Sequence, residues 1–315
     1  MSWFLIAILS YFLLAIVNLT DKFLIDNVLR SSKTYAFLVC SLGSLVFLAA
    51  PWFLHYPGAF LLGANFLTGA IFAAAIFFLY EALRRGEAAR TIILIGGLIP
   101  VFSTIISWLF LGDTFVKEQL FGLVFLLLGI FLIAFLPGRH SFWEKLWLSL
   151  RSEDYKKNSV LLIILASFFY ASFFTATKYV YASQDFWSAF MWVRLGAFIS
   201  VSFFLLNKKS RVEIIKNLKG DDGKKHKNKN IFLFLCNQGL GSISFILQNY
   251  AIFLGPVALI TALQGVQYAI MLFLAFFLGF FFKEYKEKFT WRNLIQKIVA
   301  LIFISLGLYL IAIYV

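Results

Sequence analysis

Ten apolar runs divide this chain, and they leave little room for any fold but a bundle of membrane helices. The runs cover about 3–20, 34–54, 58–83, 88–111, 119–137, 159–180, 185–207, 230–253, 257–282 and 293–315. A helix needs about 20 predominantly apolar residues to cross a hydrocarbon core. Inside that core the backbone must satisfy its own polar groups, which a helix does within one segment. Hydrophobic residues are 62% of the chain and charged residues 14%, with a mean hydropathy of +0.88. A soluble domain of this length needs far more polar surface. The start, MSWFLIAILS, has neither a basic region nor a small-residue cleavage site and reads as a retained first span. The expected fold class is therefore an all-α polytopic membrane protein with ten transmembrane helices.

The net charge of +13 is strongly segregated. Of 28 Lys and Arg, 24 fall in or at the edge of the connections after predicted spans 1, 3, 5, 7 and 9. The positive-inside rule then places these odd-numbered loops in the cytoplasm and both termini outside, which suits a multi-pass protein of the plasma membrane. The most basic connection, 208–230, has no aromatic residue among its charges. It reads as a topology anchor that lies against anionic lipid, flexible around Gly220 to Gly223, and not as a nucleic-acid site. Cys40 and Cys236 lie in predicted spans of different halves, where buried apolar packing is the expected role.

A spaced set of small residues occurs twice. Ala82, Gly86, Ala89, Leu94 and Gly96 return as Ala251, Gly255, Ala258, Leu263 and Gly265. Each copy is followed by an apolar run, a charged turn and a last span containing a glycine, Gly129 or Gly307. Residues 1–137 and 159–315 thus read as two five-helix repeats joined by a linker, 138–158. Trp143 and Trp147 in that linker suggest one face of a surface helix. An odd number of spans per repeat makes the second copy insert upside down. Inverted repeats form a pseudo-two-fold axis in the membrane plane, with the substrate site where the halves meet.

The text YEALRRGEAARTIILIGGLIPVFSTIISWLFLGDTFVKEQLFGLVFLLLGIFLI resembles the second part of an EamA-type repeat of the drug/metabolite transporter superfamily. The resemblance is carried by Ala82, Gly86, Ala88, Ala89, Pro100, the Gly112-Asp113 turn, Gly122 and Gly129. The second half repeats it more loosely, with Phe281-Phe282-Lys283-Glu284 in place of the turn. Lys22 and Lys178 match a lysine common at the end of each repeat's first helix. The resemblance implies a carrier fold and leaves the substrate open. Ten-helix members commonly keep both termini in the cytoplasm, whereas the charge pattern here gives the reverse.

Ionisable and polar residues within spans are the candidate working parts. Arg194 falls near the middle of predicted span 7, where an arginine costs about 2.5–3.5 kcal/mol to insert. It is expected to face the bundle interior with an acidic or carbonyl partner, where it would anchor an anionic substrate group, join a gating pair or form a structural ion pair, unless it snorkels to an interface. Asp21 and Glu81 are candidate coupling carboxylates for proton exchange, although both lie near predicted span ends. Gln248 and Asn249 end predicted span 8, and Gln264, Gln267 and Tyr268 share a face of span 9. With Tyr80 and Asn65 from the first half, these residues are the expected cavity lining. Trp108, Trp192 and Tyr170 are aromatics that could stack on a ligand. Lys22, Lys178, Gly96 and Gly265 are helix-end or gating candidates; small residues there also permit close packing of helices in lipid. Pro256 is expected to begin span 9 and Pro100 to kink span 4.

Together these features favour a secondary transporter working by alternating access. Its cargo would be a small metabolite or lipophilic compound, or alternatively a lipid-linked sugar or other amphiphile. Protons are the candidate coupling ion, membrane lipids the surrounding partner, and the oligomeric state is not set by the sequence. No Walker A motif or cofactor signature is present. The three histidines, His55, His140 and His226, are scattered among loops, so neither a metal site nor a membrane enzyme is expected. A non-transporting interaction protein would show Arg194 and the span 9 amides facing lipid or protein.

Overall fold

The computed structural model describes residues 3–27, 31–85, 88–134, 159–219, 227–281 and 291–313. Among the described residues every regular element is helical. The elements are α1 (Trp3–Asn27), α2 (Ser32–Gly43), α3 (Ala50–Phe53), α4 (Ala59–Arg85), α5 (Ala88–Phe110) and α6 (Lys117–Ala134). They continue with α7 (Ser159–Tyr181), α8 (Phe186–Ser202), α9 (Lys208–Lys219) and α10 (Lys227–Leu254). The last are α11 (Val257–Ala262), α12 (Gln264–Phe281) and α13 (Trp291–Ile313). Tighter 3-10 turns extend α2 through Ser44–Ala49 and α8 through Phe203–Leu206.

Among the described residues four helical segments are long and apolar enough to cross a membrane: Ser32–Phe53, Ala59–Arg85, Val160–Tyr181 and Phe186–Leu206. Shorter apolar helices lie at Trp3–Asn18, Leu94–Phe110, Val257–Met271 and Ile298–Gly307. Hydroxyls within the helices bond to the carbonyl one turn back, so they bring few unsatisfied groups into lipid. Thr68 Oγ1 donates to Ala64 O at 2.8 Å, Thr177 Oγ1 to Phe173 O at 2.7 Å and Ser202 Oγ to Phe198 O at 2.7 Å. Asp185 caps α8 by accepting from the amides of Trp187 and Ser188.

The helices of the two sequence halves interleave. α4 packs along both α7 and α8, α1 along α10, and α6 along α13. Small residues set the closest of these approaches. A Cβ on Gly69 of α4 would stand 2.3 Å from Val193 O and 2.4 Å from Ala197 N of α8. A Cβ on Gly196 would stand 2.7 Å from Phe66 Cα. Glycine at both positions lets the two backbones touch. In the α6–α13 pair, a Cβ on Gly129 would stand 2.8 Å from Ala300 O, and one on Gly307 2.6 Å from Gly122 O. The last-span glycines noted in sequence thus meet in one interface.

Four sequence expectations change. Predicted span 9 is interrupted: α11 ends at Ala262 and α12 begins at Gln264, so two helices occupy what reads as one run. Much of the basic connection 208–230 is helical, as α9 and the start of α10. α9 is anchored through Ser31 Oγ donating to Glu213 Oε1 at 2.7 Å and Lys33 Nζ donating to Ser210 Oγ at 3.0 Å. Its Ile214 is buried, an apolar anchor that the surrounding charges hide in sequence. Cys40 is buried, but Cys236 is exposed on α10. Pro256 precedes α11 as its cap and is not its first helical residue. The linker 138–158 with Trp143 and Trp147, Gly86, and the Gly220–Gly223 stretch lie outside the described residues.

Candidate functional site

One cavity of about 180 Å³ lies between the halves. Its wall takes residues from α1, α2, α4, α5, α7, α8, α10 and α12, including Val39, Phe72, Tyr80, Tyr170, Arg194, Phe245 and Gln267. Most of the wall is aliphatic or aromatic, and among the described residues Arg194 is the one charged side chain in it.

Arg194 projects from α8 and is 6% exposed. Its guanidinium carbon lies 4.0 Å from the centre of the Phe245 ring, 4.8 Å from Phe72 and 5.2 Å from Phe190. Aromatic faces attract a cation through the ring quadrupole, most strongly where water is excluded. Among the described residues no carboxylate forms a salt bridge with Arg194, and its buried Nε has no hydrogen-bond partner. The structure surrounds Arg194 with three phenyl rings, which are not among the partners expected from the sequence, and with no described acid.

The amides divide into two groups. Gln248, Gln264 and Gln267 line the cavity. Gln248 Nε2 donates to the Tyr11 hydroxyl at 3.1 Å, which fixes its position. Gln267 is buried, and both its amide atoms lack partners among the described residues. Tyr80 also lines the cavity, its ring 3.9 Å from that of Tyr35. Asn249 does not reach the lining: its Nδ2 donates to Phe245 O at 2.8 Å and its Oδ1 accepts from Tyr181. Asn65 lies at another end of the bundle, its Nδ2 donating to Gln184 Oε1 at 2.9 Å. Tyr268 is a packing anchor, its hydroxyl donating to Ile92 O at 2.9 Å. Gly96 makes room for that hydroxyl, since a Cβ there would stand 1.5 Å from it. Gly265 packs against Leu126 and Ile130 of α6.

The charged candidates near helix ends are engaged elsewhere. Lys178 Nζ donates to the carbonyls of Ile252 and Phe253, each at 3.0 Å. These are orphan acceptors in the last turn of α10, where a cation also complements the helix dipole. Glu81 accepts from Ser32 Oγ at 2.5 Å, Arg84 Nη2 at 2.6 Å and Arg85 Nε at 2.7 Å. It borders a separate hollow of about 600 Å³ with Lys33 and Glu213. Asp21 and Lys22 fall in α1, and their side chains lie outside the described residues.

Several residues around Arg194 escape sequence reasoning. Phe190 precedes Arg194 by one helical turn, a spacing that was legible. Phe72 and Phe245 come from α4 and α10, and only folding brings them to the guanidinium. Of the aromatics considered for stacking, Tyr170 lines the cavity and Trp108 is 64% exposed on the outer surface. Trp192 Nε1 donates to His55 O at 2.9 Å.

Among the described residues the bundle is sealed unequally around the cavity. At the end bearing residues 54–58 and 182–185, α4 and α8 close over it through Gly69 and Gly196. The Asn65–Gln184 pair and the Ser188–His55 bonds, each 3.0 Å, complete that seal. Toward the opposite end, α2 and α10 meet only briefly, with Gln238 Nε2 donating to the Tyr35 hydroxyl at 3.3 Å. A Cβ on Gly239 of α10 would meet nothing within 4 Å.

These features bear comparison with known proteins. Residues 1–135 match the EamA-like transporter family. That match covers α1 to α6 and agrees with the drug/metabolite transporter superfamily, and it supports a multi-pass membrane transporter of small solutes. It also gives the turn after α5 a physical reading. Gly112 has φ +69°, a left-handed conformation that glycine adopts without strain, so the EamA-like segment can leave the helix sharply there. In fold, 23 chains of solved structures match. One, described only as the crystal structure of a protein, aligns over 98% of this chain and 94% of its own with a TM-score of 0.65. At 16% identity that likeness shows a shared fold alone. No curated protein matches the chain in sequence.

Proposed function

We propose that the protein is a secondary carrier of the plasma membrane, with two inverted five-helix halves that expose the Arg194 cavity to one side of the membrane at a time. The observation that carries this reading is the position of the cavity. It lies where helices of both sequence halves converge, closed at one end by a glycine crossing and, among the described residues, loosely bounded at the other. Internal repeats of this kind place their substrate site where the halves meet. The placement of Arg194, Gln264 and Gln267 around a cavity favours transport over a purely structural or adaptor role.

With the odd-numbered connections in the cytoplasm and both termini outside, the sealed end is extracytoplasmic and the loosely bounded end faces the cytoplasm. In the opposite state α4 and α8 separate, and α2 closes on α10 at the unfilled space beside Gly239. Glu81 is tied to two arginines and acts as an anchor, which leaves Asp21 as the candidate for proton coupling. The test is uptake of a mixed metabolite panel by proteoliposomes, with and without an imposed pH gradient, for wild type and Arg194→Ala. Uptake of one compound class that the folded variant loses supports the carrier and its site. Absence of uptake for every compound, in both orientations of the gradient, overturns it.

A further inference from the structure

We infer that the Arg194 cavity binds a monovalent organic anion whose body is about the size of one aromatic ring. This rests on the carrier reading and adds the chemistry of its cargo.

The charge comes first. Among the described residues Arg194 is the one charged residue of the lining, and no described carboxylate lies within 4.0 Å of it. A buried cation without a counter-charge is costly, and an incoming anion offsets that cost. A cationic cargo meets repulsion at the same point. A dianion matches one charge and brings a second with no partner into an apolar wall.

Orientation follows from the rings. Phe72, Phe190 and Phe245 surround the guanidinium carbon at 4.0–5.2 Å. These contacts steady the group, while Nε still lacks an acceptor. Gly43 stands beside Nη1: a Cβ there would come within 3.1 Å of it, so glycine leaves that edge uncrowded. A guanidinium edge presents paired N–H donors that suit the two oxygens of a carboxylate or a sulfonate. Gln267 supplies a second unengaged group on the same wall, a donor and an acceptor for a neutral hydroxyl or amino group.

Size follows from volume and lining. The cavity holds about 180 Å³. For comparison, a dry apolar cavity of about 150 Å³ accepts one benzene. Ile76, Ile95, Ile99 and Phe174 offer an apolar surface for such a ring.

The test begins with ligand-induced thermal stabilisation of the purified full chain in detergent. Phenylacetate, its neutral amide phenylacetamide, the dianion phthalate and benzenesulfonate are compared at equal concentration. Phenylacetate or benzenesulfonate should raise the midpoint, and phenylacetamide and phthalate should not. Arg194→Gln should abolish the shift, while Arg194→Lys, which keeps the charge but loses the fork, should weaken binding about tenfold, the worth of one charge-assisted hydrogen bond. The acid–amide comparison uses wild type alone, so a folding defect in a variant does not affect it. An equal shift with phenylacetamide overturns the inference, as does a shift that survives Arg194→Gln, or no shift with either monoanion.

Proteoliposome counterflow of benzenesulfonate separates this inference from the carrier reading, because a permanent anion does not leak through lipid as a neutral acid. Arg194-dependent counterflow supports both. Counterflow of neutral solutes unaffected by Arg194→Gln keeps the carrier and overturns the anion. Arg194-dependent binding with no counterflow keeps the anion site and overturns the carrier.

Discussion

The guanidinium carbon of Arg194 lies 4.0 Å from the centre of the Phe245 ring, and this contact joins α8 to α10 at the wall of the cavity. A desolvated cation–π contact is worth about 2 kcal/mol. Phe245→Leu should therefore lower stability by more than its change in volume accounts for. In a double-mutant cycle with Arg194→Met, thermal unfolding should give a coupling energy of about 1–2 kcal/mol. A coupling near zero would show that the rings only pack.

The Gly69–Gly196 crossing makes a steric prediction. Gly69→Ala places a methyl group 2.3 Å from Val193 O, so α4 and α8 must move apart. In a Gln184→Cys background, which removes the Asn65 bond of the seal from both proteins alike, the cysteine should then react faster with an impermeant maleimide than it does with Gly69 retained. Gly239→Ala meets no neighbour and should change stability by less than about 1 kcal/mol. If α2 closes on α10 during transport, that same variant should fold normally and carry substrate more slowly.

Lys178→Met removes both hydrogen bonds to the end of α10. Bonds from a charged donor contribute about 1.5–3 kcal/mol each, so the unfolding midpoint should fall measurably. Lys178→Arg keeps the charge and should recover part of the loss.

Gly96 and Tyr268 form a mutually dependent pair. Gly96→Ala drives a methyl group into the Tyr268 hydroxyl, and should destabilise the protein by about 1–3 kcal/mol or more. Adding Tyr268→Leu should restore part of that stability, at the cost of the bond to Ile92 O. Non-additive unfolding energies would establish the pairing.

Glu81→Gln tests anchor against coupling carboxylate. Its four arginine contacts and the Ser32 bond weaken together, so the variant should unfold at lower temperature. Transport should keep its response to an imposed pH gradient. Loss of that response in a folded variant would return Glu81 to the coupling role.

Residues that face one another across helices were the hardest to place from sequence. Gln264 and Gln267 were legible as cavity groups because amides in apolar text are costly and need a reason. Tyr268 shares their helix, yet its hydroxyl turns to Ile92 O in α5. Asn249 follows Gln248 and is spent on Phe245 O and Tyr181. Chain spacing gives the face of a helix, and the neighbour that fills that face comes from elsewhere in the fold. Gly69 and Gly196 were missed for the same reason. A single glycine in each of two distant spans carries no signal until the helices cross.

Length and polarity alone determined that this chain forms apolar helices, because lipid leaves the backbone no other way to satisfy its polar groups. The sequence also singled out Arg194, since a charge in an apolar span is too costly to be incidental. Only the tertiary structure decided what surrounds it: three phenyl rings from three helices and a cavity without a described acid. Packing specificity in lipid comes from side-chain shape, and side-chain shape acts only between helices that have already met.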